Sequence, residues 1–255
     1  MMMRYAIVTG VSGGLGFATA KFLLESGIHV YGISRTDKSE LHDIARENHV
    51  EYSHAVCDLS VLEQVDNTLK KMLAELEEIS NLDKVYFINN AAVIQPIKQA
   101  TMITSDALTY HYNVNVISPI HISNKILQQF CDLSVPVIGV NITSGAANYP
   151  LYGWSAYCSA KASINMYTKT VALEQAELQT DNKIIAFNPG VMDTNMQEEI
   201  READKQHFIQ LEQFQQYKRE GILSQSEFVA GILVDIIMDE SNIISGTIYD
   251  ISDYT

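Results

Sequence analysis

The chain has 255 residues, 47% of them hydrophobic and 19% charged, and a formal net charge of -14. Such a composition describes a soluble globular protein with one large core or two small ones, and excludes disordered and fibrous classes. So acidic a balance also argues against a nucleic-acid partner, which needs a basic face to neutralise phosphates, and makes any basic residue beside an anionic ligand stand out.

The first apolar run, Tyr5-Ala6-Ile7-Val8, is rich in strand formers and stops at Thr9-Gly10. It is too short for a signal peptide or a membrane span, so a cytoplasmic protein with no membrane partner is expected. A glycine cluster follows, then apolar residues at helical spacing (Ala18, Phe22, Leu23) up to Gly27, a fitting C-cap. Next come a strand over 28–33, a polar helix, and a third strand running to Ala55-Val56-Cys57-Asp58. An amphipathic helix is expected over 60–79, and a buried strand over 84–88 leads into Asn89-Asn90-Ala91-Ala92. The alternation continues with a helical region over 103–131, a strand over 135–142, a long helix over 155–179 and a strand over 184–187 that ends at Asn188-Pro189-Gly190. A Gln-rich polar helical stretch, 197–220, interrupts the pattern before a helix over 225–239 and a last strand over 246–251.

Strands alternating with helices predict an α/β fold: a doubly wound, mostly parallel sheet with helices on both faces, binding ligands beyond the carboxyl ends of its strands. Without repeats or a Pro/Gly/Ser linker, residues 1–255 read as a single domain. Cys57, Cys131 and Cys158 lack CxxC spacing, which points to packing rather than to disulfides or zinc, and no metal is expected.

Two constellations carry chemistry. The first is Thr9-Gly10-Val11-Ser12-Gly13-Gly14-Leu15-Gly16, placed between a strand and a helix. Glycines there let the backbone turn tightly and approach a pyrophosphate whose charge the helix N-terminus stabilises. The double glycine permits two registers, TGxxxGxG (Gly10, Gly14, Gly16) and TGxxGxxG (Gly10, Gly13, Gly16). The end of the second strand should set adenosine specificity, an acid there favouring a ribose 2′-OH and a base a 2′-phosphate. The chain reads Ser34-Arg35-Thr36-Asp37, which favours NADPH through the Arg35 guanidinium; a two-residue shift would bring the Asp37 carboxylate in instead. Asp58 fits either an acceptor for the adenine amino group or a helix N-cap, and the two roles are compatible.

The second constellation is Ser144, Tyr157 and Lys161. Tyr157 and Lys161 lie four apart on one helical face, where an ammonium would lower the phenol's pKa toward the working range. Ser144 ends a strand, where its hydroxyl could orient a substrate carbonyl.

With these residues in place, the chain resembles the short-chain dehydrogenase/reductase family over nearly its whole length: the glycine loop, Asp58, Asn89-Asn90-Ala91, Asn115, Ser144, Tyr157, Lys161, Pro189-Gly190 and Thr194 all match. The resemblance implies that Tyr157 protonates the carbonyl oxygen as hydride arrives from nicotinamide. Lys161 would also hold the nicotinamide ribose, Ser144 would fix the substrate, and Asn115 would anchor a proton-relaying water. The implied cofactor set is Gly10, Ser12, Gly14, Leu15, Gly16, Arg35, Thr36, Asp58, Leu59, Asn89, Asn90, Ala91, Tyr157, Lys161, Pro189, Gly190, Val191 and Thr194, the last two at the carboxamide end. Two departures stand out: Ala92 replaces a usual glycine, and Gly13 stands where many NADPH-preferring members carry a base. The family's TGxxGxxG branch has a sizeable C-terminal substrate domain, and only 65 residues follow Gly190, so the first register is expected.

A narrower resemblance, to the family's benzil reductase and sepiapterin reductase branch, rests on Gly153-Trp154-Ser155-Ala156-Tyr157-Cys158 and on Pro189 to Met196. It implies reduction of a ketone or of one carbonyl of a vicinal diketone to a hydroxyketone, with a pterin side-chain carbonyl as the alternative substrate. Tyr149, Leu151, Tyr152, Trp154, Met192 and Met196 flank the catalytic segments, and an aromatic substrate pocket with Ser144, Tyr149, Trp154 and Met192 against the ligand is expected. Within 191–222, the Gln-rich stretch reads either as a substrate lid or as a solvated helix pair. A non-catalytic NADP-binding sensor is the alternative of another class, one that need not keep Ser, Tyr and Lys together. By analogy with the family, a homodimer or homotetramer is expected.

Overall fold

The structure, a computed structural model, describes residues 2–254. Its strands β1 (Met3–Thr9), β2 (His29–Ser34), β3 (Tyr52–Val56), β4 (Leu82–Asn89), β5 (Val137–Ile142), β6 (Lys183–Asn188) and β7 (Ile248–Asp250) form one sheet in the order 3-2-1-4-5-6-7. Every pairing is parallel. The order reverses between β1 and β4, the switch point at which such sheets open a crevice.

Side chains alternate along each strand, and the two sets feed two cores. Ala6, Val8, Tyr86, Ile88, Val140 and Phe187 pack on one face beneath α1 (Gly14–Glu25), α2 (Ser39–Glu47) and α9 (Ser226–Met238). Tyr5, Ile7, Val85, Phe87, Val137 and Ile184 pack on the other, under α3 (Leu62–Glu77), α5 (Ser118–Leu133) and α6 (Ser155–Glu177). β5 is buried at all six positions, as a central strand covered on both faces must be.

The expected elements are present, with informative differences at their ends. The region read as one helix over 103–131 divides into α4 (Ser105–Tyr112), a π-helical turn over Asn113–Ile117, and α5. The last strand shrinks to three residues, and the third ends at Val56 rather than Asp58. Val61, not Asp58, sits at the N-cap of α3; the Asp58 carboxylate accepts instead from the Ser60 N–H at 2.9 Å in a local turn. Of the cysteines, Cys57 is buried and Cys158 half-buried, but Cys131 is exposed, so core packing does not account for it.

A third, smaller core lies beyond the carboxyl ends of the strands. Ile94, Ile97, Ala146, Trp154, Tyr157, Ile200, Phe208 and Leu211 are its buried members, and α7 (Asn195–Arg201) and α8 (Leu211–Arg219) supply part of it. The 197–220 stretch is therefore anchored by an apolar face and is not a merely solvated helix pair. No described helix is long and apolar enough to cross a membrane.

Candidate active site

A cavity of about 870 Å³ runs along the carboxyl edge of the sheet, from Arg35 at one end past the glycine loop to Ser144, Tyr157 and Phe214. The loop's glycines separate into two kinds. Gly10 has φ +77°, and a Cβ there would stand 2.8 Å from Asn90 Nδ2; a Cβ on Gly16 would overlap Asn90 Nδ2 and the Gly10 carbonyl oxygen. Gly14, at φ +55°, lies against Thr194. Gly13 has extended backbone and open space where a Cβ would go. The spacing the backbone requires is thus Gly10, Gly14, Gly16, the TGxxxGxG register. Gly16 itself does not line the cavity; it lets the loop close on itself.

The loop is braced from β4. Asn90 Nδ2 donates to the Thr9 carbonyl at 2.9 Å, and the Asn90 and Ala91 N–H groups both donate to Thr9 Oγ1 at 3.0 Å. Asn89 turns inward instead, its amide within bonding distance of Ser123 Oγ and Asn141 Oδ1, so it ties β4 to α5 and β5 and does not reach the cavity. The result is a backbone cradle, open at the N-terminus of α1, that a side chain would fill: it suits the pyrophosphate of a dinucleotide.

At the adenosine end, Arg35, Asp58 and Leu59 line the cavity, joined by Lys38, which sequence reasoning missed. The Arg35 guanidinium and the Lys38 ammonium make no hydrogen bond or ion pair among the described residues. Thr36 and Asp37 do not line the cavity. Asp37 points back toward His42 Nε2, at 2.8 Å, which excludes the two-residue shift that would have placed its carboxylate there.

At the other end, β5 delivers Ser144 and α6 delivers Tyr157 and Lys161 one turn apart. Lys161 is 4% exposed and its Nζ donates to the Ile142 carbonyl at 2.9 Å. Burial alone holds its pKa at about 8, below the ordinary 10.5. Tyr157 is 7% exposed. Burial pushes its phenol up to about 12, opposed by the hydrogen bond with Ser144. Desolvation outweighs the lowering of the phenol's pKa expected from Lys161, whose ammonium is engaged by Ile142 and stands 5.7 Å from the Tyr157 ring centroid.

The π turn rotates Asn115 inward, to 2% exposure. Its Oδ1 accepts from the Val93 N–H at 2.9 Å, while Nδ2 donates to the Val93 carbonyl at 2.7 Å and to His111 Nε2 at 2.9 Å. Both N–H donors of the amide are committed, so a relay through Asn115 would have to use its main chain or the remaining acceptor site of Oδ1. His111, which the sequence did not single out, is fully buried behind it, edge-on to Tyr157.

Of the expected pocket residues, Leu151, Trp154, Met192 and Met196 line the cavity; Tyr149 and Tyr152 do not, and Tyr149 is 72% exposed. The aromatic wall comes from elsewhere in the chain. Phe214 and Tyr217 line the cavity, with Phe214 edge-on to Trp154 at 5.4 Å, while Phe208 is fully buried behind them, stacked on Trp154 with ring centroids 4.9 Å apart. Pro189, Gly190, Val191 and Thr194 close the cavity opposite the glycine loop; Thr194 Oγ1 caps α7 by accepting from the Gln197 N–H. Among the described residues no group of acidic, His and Cys side chains could hold a metal ion.

Comparison with known proteins agrees with this geometry. A family profile described as short chain dehydrogenase matches residues 4–205. A benzil reductase ((S)-benzoin forming) of Bacillus subtilis is 36% identical over 252 residues, 99% of this chain and 100% of that protein. Sepiapterin reductase of Bos taurus is 28% identical over 92% of this chain and 89% of its own length. A short chain dehydrogenase/reductase structure from Saccharomyces cerevisiae superposes with a TM-score of 0.79 at 25% identity, covering 97% of this chain and 95% of that one.

Proposed function

The chain belongs to the short chain dehydrogenase family of oxidoreductases, and on that premise we propose that it is an NADPH-dependent carbonyl reductase in which Tyr157 donates the proton. The substrate we propose is a ketone or a benzil-like vicinal diketone, reduced at one carbonyl to the hydroxyketone. The observation that carries the reading is that Ser144, Tyr157 and Lys161 converge in one cavity with a dinucleotide cradle. A proton donor must hold its proton until the carbonyl oxygen gains charge, and Tyr157 holds it at any physiological pH.

Bound nicotinamide supplies the hydride; the chain supplies the rest. Gly10, Ser12, Gly14 and Leu15 would hold the pyrophosphate, Arg35 the 2′-phosphate, Asp58 and Leu59 the adenine, and Val191 and Thr194 the carboxamide. Ser144, whose Oγ accepts from the Ala146 N–H at 3.2 Å, would turn its one hydroxyl proton from Tyr157 to the substrate carbonyl once that is bound. Tyr157 passes its proton to that oxygen, and Lys161, charged below pH 8, stabilises the phenolate left behind. Segment 191–222 would close over the substrate, its Phe208 and Phe214 already seated on Trp154.

The identity to Bacillus benzil reductases supports an aromatic diketone, and the aromatic wall suits one. The bovine relative keeps a pterin side-chain ketone as the second reading. A panel of benzil, aliphatic diketones, a pterin ketone and simple ketones, followed through NADPH absorbance, tests both. No oxidation with any of them would leave a dinucleotide-binding protein without this activity. Light scattering checks the homodimer or homotetramer expected from the family.

A further inference from the structure

Asp37 follows Arg35 by two residues, near the strand end where a carboxylate bonds ribose hydroxyls and repels a 2′-phosphate. Arg35 and Lys38 on either side of it line the cavity and Asp37 does not. Its carboxylate accepts from the Lys38 main-chain N–H at 2.7 Å and from His42 Nε2 at 2.8 Å, and lies 3.9 Å from His54 Nδ1. His42 comes from α2 and His54 from β3, where it pairs with Gly32 and keeps only 3% of its side chain exposed.

The hydrogen inventory fixes several protons. A carboxylate only accepts, so His42 Nε2 carries hydrogen. The single Ser34 hydroxyl proton goes to the Thr36 carbonyl at 2.8 Å, so the 2.9 Å contact between Ser34 Oγ and His54 Nε2 is donated by the imidazole. His54 therefore braces the turn that carries Arg35, and its other nitrogen faces Asp37. Tyr52 packs edge-on against His42, ring centroids 4.7 Å apart, completing the surround.

We infer that His42 is a specificity-determining positioning residue: it holds the Asp37 carboxylate away from the 2′-phosphate subsite, so that a chain with an acid beside its arginine still selects the phosphorylated dinucleotide. This rests on the NADPH reading above. Freed from His42, the carboxylate could swing toward the subsite, where its repulsion of a phosphate at a partly screened surface is worth about a tenfold loss of affinity.

Calorimetric titration of the full chain with NADPH and with NADH tests the inference. The His42 side chain is 43% exposed, so its truncation leaves the core intact. His42→Ala should weaken NADPH about tenfold and NADH by less than about twofold, whereas His42→Gln, which keeps a donor, should retain most of the preference. Adding Asp37→Asn to His42→Ala should restore NADPH binding. Equal losses for both cofactors, no loss, or no rescue by Asp37→Asn would overturn the positioning role while wild-type preference for NADPH stands. Wild-type protein that binds NADPH no tighter than NADH would instead overturn the cofactor assignment, and this inference with it.

Discussion

The two ends of the cavity are built differently. Where reaction is proposed, the side chains are already engaged: Lys161 by Ile142, Asn115 by Val93 and His111, Ser144 by the Ala146 N–H. At the adenosine end the two cations, Arg35 and Lys38, have no protein partner among the described residues, and the nearby acid is tied back. Groups that must meet a reacting bond to within a fraction of an ångström of the right position gain from being fixed before the substrate arrives. Groups that must capture a phosphate gain from keeping their donors free, since a cation already paired would have to break that pair first.

If the division holds, substitutions at one end should change rate and those at the other affinity. The largest effect is expected from Tyr157→Phe, which should lower kcat about a thousandfold while calorimetry finds NADPH affinity within about twofold of wild type. Comparable loss of affinity would mean that the two ends are not separable. Arg35→Ala should weaken NADPH roughly 10- to 100-fold, the worth of charge-assisted bonds to a phosphate, with NADH and kcat little changed.

Raising the pH sharpens the contrast. Lys161 loses its proton through about pH 8, so the reduction rate should fall about tenfold by one unit above that value while Tyr157 remains protonated. Stability should move the opposite way. With the folded pKa below the ordinary 10.5, the cost of burying the charge is present below pH 8 and is relieved as pH rises toward 10.5. A melting temperature that dropped in step with activity would contradict the Lys161 assignment. The smallest effect should come from Tyr149→Ala: outside the cavity and exposed, it should change kcat/KM for benzil by less than about twofold.

Sequence legibility divided along the same line. The alternation of strand and helix, the glycine loop and the Tyr157–Lys161 spacing are local patterns, and the fold follows from them. Choosing between Gly13 and Gly14 needed the positive φ of Gly14 and its contact with Thr194, which lies far along the chain. The orientation of Asp37 depends on its hydrogen bond with His42 on α2, and no spacing announces it. The π turn at Asn115 is one extra residue within an otherwise helical pattern, invisible to a period of 3.6. The phenol's pKa went the other way from expectation because burial, a tertiary property, outweighed a charge read from spacing.

Trp154 is the chain's single tryptophan, and it sits against both Phe208 and Tyr157. Its intrinsic fluorescence is therefore a site-specific signal that needs no label. Reduced nicotinamide absorbs where indole emits, so cofactor arrival should quench the emission by energy transfer. Any lifting of the 191–222 segment would unstack Phe208 and expose the indole to water, shifting the emission to the red. One optical trace, recorded in a stopped-flow cell, would time cofactor entry and segment motion together.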